Sequence, residues 1–189
     1  MHGNTDASND DISLHLNWGL MTAPYYHDDA SLELRFGGLG QIIGHEMGHS
    51  LDPEFIQNSP VLVGKEDKRQ FREQVECIEH QYENAIMPLD SYNGTFSQPG
   101  ELTHAEAIAD NAGLRAAFRA YRNERKLLYK TLEPKLPGLD AYTPDQLFFV
   151  AAAMINCGEQ SDDELLENED DEHPPGYIRV NEVVFDPDL

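Results

Sequence analysis

Basic residues are scarce in this chain of 189 residues: 13 lysines and arginines stand against 35 aspartates and glutamates, for a formal net charge of −22. Such a surface repels phosphate backbones, so no nucleic-acid partner is expected. Anionic membrane surfaces are disfavoured for the same reason. Cysteine is nearly absent. Cys77 and Cys157 are too few for a disulfide framework and permit either one bridge or two free thiols. No apolar run is long enough to span a bilayer, so no membrane segment is expected. The residues Met1-His2-Gly3-Asn4-Thr5-Asp6 lack the basic and apolar character of a signal peptide. There is no internal repeat. Hydrophobic residues make up 40% of the chain, enough for a globular core, so the acidity reads as solubility rather than disorder. The length suits one domain.

The stretch that carries chemistry is Gly44-His45-Glu46-Met47-Gly48-His49-Ser50-Leu51-Asp52, which contains H-E-x-x-H. On a helix, four residues bring the side chain round by roughly 400°, so His45 and His49 lie nearly above one another. Two imidazoles on one face can hold one zinc ion. Glu46, turned roughly 100° away, is badly placed as a ligand and well placed as a general base for the attacking water. The helix itself is predicted from Leu39, Ile42, Ile43, Met47 and Leu51, spaced as a buried stripe. Gly37-Gly38 would punctuate its start and Pro53 its end. Gly44 and Gly48 would allow close packing at a cost in helix propensity. The competing reading is two surface histidines and a solvated glutamate.

Elsewhere the pattern predicts a mainly helical α+β chain with a small sheet. Ile12, Leu14, Leu16 and Trp18 alternate with polar residues as in a strand. His15 falls on its polar face and reads as solvated. His27 stands beside Asp28 and Asp29 and reads as a loop residue rather than a ligand. Residues 53–64 read as a loop. Phe71, Val75, Ile78, Tyr82 and Ile86 give a long amphipathic helix, with His80 off its stripe. A loop rich in Pro and Gly follows, where Asn93-Gly94-Thr95 is either an N-glycosylation sequon or a chance triplet in a turn. Glu101 to Lys130 is a helix. Thr143-Pro144-Asp145-Gln146 is a capping box that opens an apolar helix through Ile155, expected to be buried. Ser161 to Glu172 reads as a solvated acidic loop, and Tyr177 to Val180 as a short strand.

A catalytic zinc commonly takes three protein ligands and keeps one position open. Asp52 and Phe55 exclude the arrangement in which a third histidine follows on the same segment. A glutamate from a later helix is the other route, and Glu106 is the candidate, in Glu106-Ala107-Ile108-Ala109-Asp110. Its neighbours are small and apolar, unusual company for a solvated glutamate. Asp110 shares its helix face and could orient a ligating histidine through the second ring nitrogen. Thr103-x-x-Glu106 is also a capping box that needs no metal. Asp110 and the upstream H-E-x-x-H favour the ligand.

With these residues in view, the chain resembles the neprilysin family of zinc metallopeptidases, from about Asn4 to Arg179. The strongest matches are Phe36-Gly37-Gly38-Leu39-Gly40-Gln41-Ile42-Ile43-Gly44-His45-Glu46 and Glu106-Ala107-Ile108-Ala109-Asp110-Asn111-Ala112-Gly113-Leu114. Weaker ones are Leu136 to Asp140, Gln146 to Phe149, and His173-Pro174-Pro175-Gly176-Tyr177-Ile178-Arg179. The resemblance implies a thermolysin-like catalytic domain that hydrolyses peptide substrates and holds one Zn2+ per chain. It implies zinc ligation by His45, His49 and Glu106, with Glu46 as general base. It implies that Asp110 orients one ligating histidine and Asp52 the other. His173 would stabilise the oxyanion, Arg179 would bind a substrate carbonyl, and Asn4 would pair with the substrate backbone. An extracellular or cell-surface setting is implied as well.

This chain also departs from the family pattern. The family's edge segment appears as Asn4-Thr5-Asp6-Ala7, so only Asn4 carries over. Asn156 precedes Cys157 where the family usually has tryptophan, which alters the apolar specificity pocket the family would imply. Residues 1–189 would form a single partial catalytic domain without the family's large helical lid domain. In the family, the partners of these two cysteines lie outside the region covered, so both should be free thiols. The alternative to an enzyme is a truncated or degenerate relative that binds zinc or peptide without turnover.

Overall fold

The computed structural model describes residues 14–58, 64–130 and 135–184. Asn4, Ile12 and the rest of the N-terminal segment lie outside the described residues. Among the described residues the architecture is mostly helical with one two-stranded antiparallel sheet. A 3-10 turn (Trp18–Met21) leads to α1 (Leu32–Arg35), a π-helical segment (Phe36–Gly40), α2 (Gln41–Gly48), a 3-10 turn (His49–Leu51), α3 (Pro53–Asn58) and α4 (Lys65–Glu83). The hairpin β1 (Met87–Pro88) and β2 (Thr95–Phe96) pairs Met87 with Phe96. Then come α5 (Gly100–Leu128), α6 (Pro144–Ile155), α7 (Asp162–Glu167), α8 (Gly176–Arg179) and a second π-helical segment (Val180–Val184).

The 29-residue α5 is the axis of the molecule: α2 and α4 pack on it, and α6 packs on α1 and the first π segment. Its inward face supplies Ala107, Leu114, Ala117 and Tyr121, each at most 5% exposed. At the end away from Glu106, Tyr121 stacks on Phe148 of α6 at 5.4 Å, and Phe118 fills the space beside both. Aromatic rings at such separations add attraction beyond the area they bury. Helix α6 opens as expected, with Thr143 Oγ1 accepting from the Gln146 N–H.

The α2–α5 contact is a backbone contact. A β-carbon added at Gly44 would sit 2.6 Å from the Gly113 carbonyl oxygen, and one at Gly48 would sit 2.8 Å from Ala109 Cα. Neither distance is open to a real side chain. The glycines thus permit the close approach anticipated for them.

Several expectations need correcting. The described part of the period-2 segment is not a strand: from Leu14 to Trp18 only Leu14 is bridged, and Trp18–Met21 winds into a turn with Trp18 88% exposed. Alternation specifies a strand only where one face is covered, and here Leu20 is the one residue of the turn that is buried. Gly37-Gly38 does not start the motif helix. The helical run begins at Leu32 and crosses the glycines as a π segment. Absent side chains let that segment press on the Phe148 and Tyr25 carbonyls. Met47 and Leu51 are 63% and 40% exposed, so the apolar stripe of α2 is buried only toward Leu39. Residues 53–58 are helical, with Pro53 in a first-turn position where a missing N–H costs nothing. The acidic run contains α7, because Ser161 and Glu164 form a reciprocal capping box. Tyr177 to Val180 is helical rather than extended. Helix α6 buries only one face, leaving Val150 and Met154 exposed. Among the described residues, no helix is long and apolar enough to cross a membrane.

Candidate active site

Helix α2 and the turn after it carry His45 and His49, and α5 crosses beside them carrying Glu106. The Nε2 atoms of the two histidines are 3.2 Å apart. Glu106 Oε2 lies 3.4 Å from His45 Nε2, and Glu106 Oε1 lies 3.3 Å from His49 Nε2. The imidazole planes are nearly perpendicular, at 88°, so their ring edges converge on one point. His45, His49 and Glu106 form the one group among the described residues whose donors are close enough to share a metal ion.

The other ring nitrogens are occupied. His45 Nδ1–H donates to Asp110 Oδ1 at 2.8 Å, and His49 Nδ1–H donates to Asp52 Oδ1 at 3.1 Å. These bonds select the tautomer and leave each Nε2 with a lone pair aimed at its neighbour. Two facing lone pairs at this separation repel unless a proton or a cation lies between them. Glu106 Oε2 is buried without a hydrogen-bond partner, a further acceptor directed at the same point. Once the shared ring proton is displaced, two imidazole nitrogens and a carboxylate oxygen converge as acceptors, a set that suits a divalent cation taking nitrogen and oxygen ligands, as zinc does.

The capping alternative for Glu106 falls away. Thr103 lies inside α5, which starts at Gly100 after Pro99, and Thr103 Oγ1 is buried without a partner. Glu106 is 5% exposed. Burial raises the pKa of a carboxylic acid, yet His45 and Arg179 outweigh it and hold Glu106 below its usual range. His45 shows the converse. Burial disfavours its charged form, but Asp110 and Glu106 prevail and raise its pKa to about 9. His49 is also raised, chiefly through Asp52 and against desolvation.

Asp110 is 1% exposed and ties the cluster to α8. Arg179 Nε and Nη2 donate to its two oxygens at 2.7 and 2.6 Å. Burial opposes ionisation of Asp110, but Arg179 and His45 keep it far below the ordinary carboxylate range. Arg179 Nη2 also lies 3.5 Å from Glu106 Oε2.

His173 reaches the cluster from the far side, with Nε2 at 3.6 Å from Glu106 Oε1. Its Nδ1–H and backbone N–H both meet Asp171 Oδ1, at 2.8 and 2.9 Å. Asp171 went unnoticed in the sequence because it is one acid in an acidic run. The Asp-x-His spacing is the signal that could have marked it. Glu46 stands outside the donor group, on a different side of α2, and is half-buried. Next to His173 and Arg179 lie two adjoining cavities of about 280 and 440 Å³, which share Gln160, Pro174 and Gly176. Asn156 and Cys157 line the larger one with Met87, Ile155 and Tyr177. Both cysteines are exposed and unbridged.

Two histidines one helical turn apart, completed by a carboxylate from a neighbouring helix, are the donor set of the zinc-dependent hydrolases. The comparisons with known proteins agree. The signature of peptidase family M13 matches residues 7–188. The chain is 36% identical to Neprilysin-2 of Caenorhabditis elegans over 168 residues, covering 86% of this chain and 22% of that protein. It is 34% identical to Endothelin-converting enzyme 1 of Cavia porcellus over 178 residues, covering 86% and 21% respectively. The Mycobacterium tuberculosis zinc metalloprotease Zmp1, solved in complex with inhibitor, superposes with a TM-score of 0.82 at 25% identity, over 96% of this chain and 28% of that one. The Haemonchus galactose-containing glycoprotein complex gives 0.84 at 29% identity, over 96% and 30%.

The chain belongs to peptidase family M13, a family of zinc metallopeptidases. It spans about a fifth of the length of the curated relatives it matches.

Proposed function

We propose that residues 1–189 form part of the catalytic domain of a zinc metalloendopeptidase that hydrolyses bonds within short peptides, holding one zinc per chain. The observation that carries this reading is the convergence of His45 Nε2, His49 Nε2 and the orphaned Glu106 oxygen on one point. These three residues would hold the ion. When bound, zinc supplies a Lewis acid that polarises a carbonyl and acidifies water. Asp110 and Asp52 keep each Nδ1 protonated, so that Nε2 remains a donor to the metal. Glu46 takes the proton of the attacking water. His173, held by Asp171, offers its Nε2–H to the developing oxyanion, where a placed donor is worth most. Arg179, held by Asp110, donates to a substrate carbonyl. Asn4 pairs with the substrate backbone, and the cavities beside Arg179 and His173 seat the substrate. By kinship the setting is extracellular or at a cell surface.

The test is zinc content and peptide turnover, each measured for the parent chain and for Glu46→Gln. The variant keeps the size of the side chain and removes its basic charge. Zinc should be retained at about one per chain. Turnover of a quenched fluorescent peptide should fall on the order of 10²–10⁴-fold, the contribution of a positioned base. Zinc binding with no Glu46-dependent cleavage of any peptide in a broad library would make the chain a binder rather than an enzyme.

A further inference from the structure

Gln98 stands just before α5, two residues from its first turn, and is only 5% exposed. Its side-chain amide crosses to the acidic loop between α7 and α8. Nε2 donates to the Asp171 carbonyl at 2.8 Å and to the Glu169 carbonyl at 3.3 Å. Both amide hydrogens are thus spent on carbonyls two residues apart. The opposite orientation of the amide would set Oε1 against two oxygens, so the hydrogen-bond pattern fixes which atom points to the loop. The loop needs such a clamp. Glu169, Asp170, Asp171 and Glu172 are all exposed and repel one another. A neutral buried donor can gather their carbonyls without capturing any carboxylate. The Asp171 carboxylate is thereby left for His173, whose Nδ1–H and backbone N–H it accepts.

We infer that Gln98 is a positioning residue: it fixes His173 against the His45–His49–Glu106 cluster by pinning the Asp171 loop to the segment that leads into the Glu106 helix. The inference rests on the proposed peptidase reading for its effect on turnover, but not for its effect on the loop. Gln98 contacts none of the metal donors, and with Asp171 and His173 it lines the smaller cavity. It acts through two carbonyls, the Asp171 carboxylate and the His173 ring.

The test uses Gln98→Met, which keeps the length and removes both donors, in the zinc-loaded chain. Hydrogen exchange across residues 169–173 should accelerate about tenfold or more as the loop opens locally. Zinc affinity should stay unchanged, because the donors sit on α2 and α5. The kcat for a peptide substrate should fall about 10–100-fold, the loss expected when a supporting contact is removed. In a His173→Ala background Gln98→Met should cost nothing further, since the route through His173 is already cut. Unchanged exchange, full additivity with His173→Ala, or loss of zinc along with turnover would each overturn the inference. Should Gln98→Met not fold, Gln98→Asn carries the same expectations, its amide being one methylene too short to span both carbonyls. A parent chain without turnover would sink the peptidase reading, and exchange alone would then decide on the clamp.

Discussion

Asp110 and Arg179 form a two-point fork, with Nε and Nη2 of the guanidinium on the two carboxylate oxygens, while Asp110 Oδ1 also accepts the His45 Nδ1–H. One buried carboxylate therefore fixes both a proposed zinc ligand and α8. Asp110→Asn keeps the shape and removes the charge that both partners require. Zinc affinity, measured by competition with a chromogenic chelator, should fall about 10–100-fold, the usual loss when the partner of a metal-binding histidine is changed. An affinity equal to the parent's would mean that the His45 tautomer needs no help from Asp110.

Two glutamates five residues apart on α5 provide an internal control. Glu106 is buried in the donor cluster, whereas Glu101 is exposed in the first turn. Glu106→Ala should abolish binding of one zinc per chain by metal analysis after dialysis, and Glu101→Ala should leave it intact. Equal zinc content in both variants would remove Glu106 from the ligand set.

The raised pKa of His45 sets opposite pH dependences for the metal-free and metal-loaded states. A histidine with a higher pKa in the folded chain stabilises the fold while it is protonated. For His45 that contribution is complete below about 6.5, the unfolded value, and is lost as the pH rises through about 9. His49 shifts in the same direction. The urea midpoint of chelator-treated chain should therefore decline from about pH 6 to about pH 9.5, and less so in His45→Gln. Zinc must displace the same proton, so zinc affinity should climb across that window. A metal-free midpoint that rises with pH would contradict the assignment.

Cys77 and Cys157 are both exposed and unbridged. Thiol titration of folded protein made without reductant should count two reactive groups per chain. Mass spectrometry that finds a Cys77–Cys157 bridge would refute this.

The candidate donor motif was legible because it is local. His45, Glu46 and His49 are fixed relative to one another by helix geometry alone. Glu106 and Asp110 were legible only jointly, since each has an ordinary surface use, and Thr103 offered a competing cap until the start of α5 was known. What the sequence could not express was which apolar residues find a cover. Met47 and Trp18 have the right spacing for burial, yet nothing among the described residues covers them. The real sheet, Met87–Pro88 with Thr95–Phe96, was hidden in a loop pattern because two-residue strands have no period to detect. Asp171 and Gln98 act through backbone carbonyls and a ring nitrogen brought together by tertiary folding, and no spacing rule encodes that.

The contact of Gly44 and Gly48 with α5 settles what kind of quantity the donor spacing is. His45 and His49 ride on a backbone resting directly on the α5 backbone at Ala109 and Gly113, one and two turns beyond Glu106, with no intervening side chain to compress or repack. The spacing of the two backbones that carry imidazoles and carboxylate is therefore a machined dimension rather than an adjustable one. It is gauged by three methyl groups that the chain leaves out, at Gly44, Gly48 and Gly113, and the spacing of the two backbones should vary less with temperature or surface substitution than one set by packed side chains.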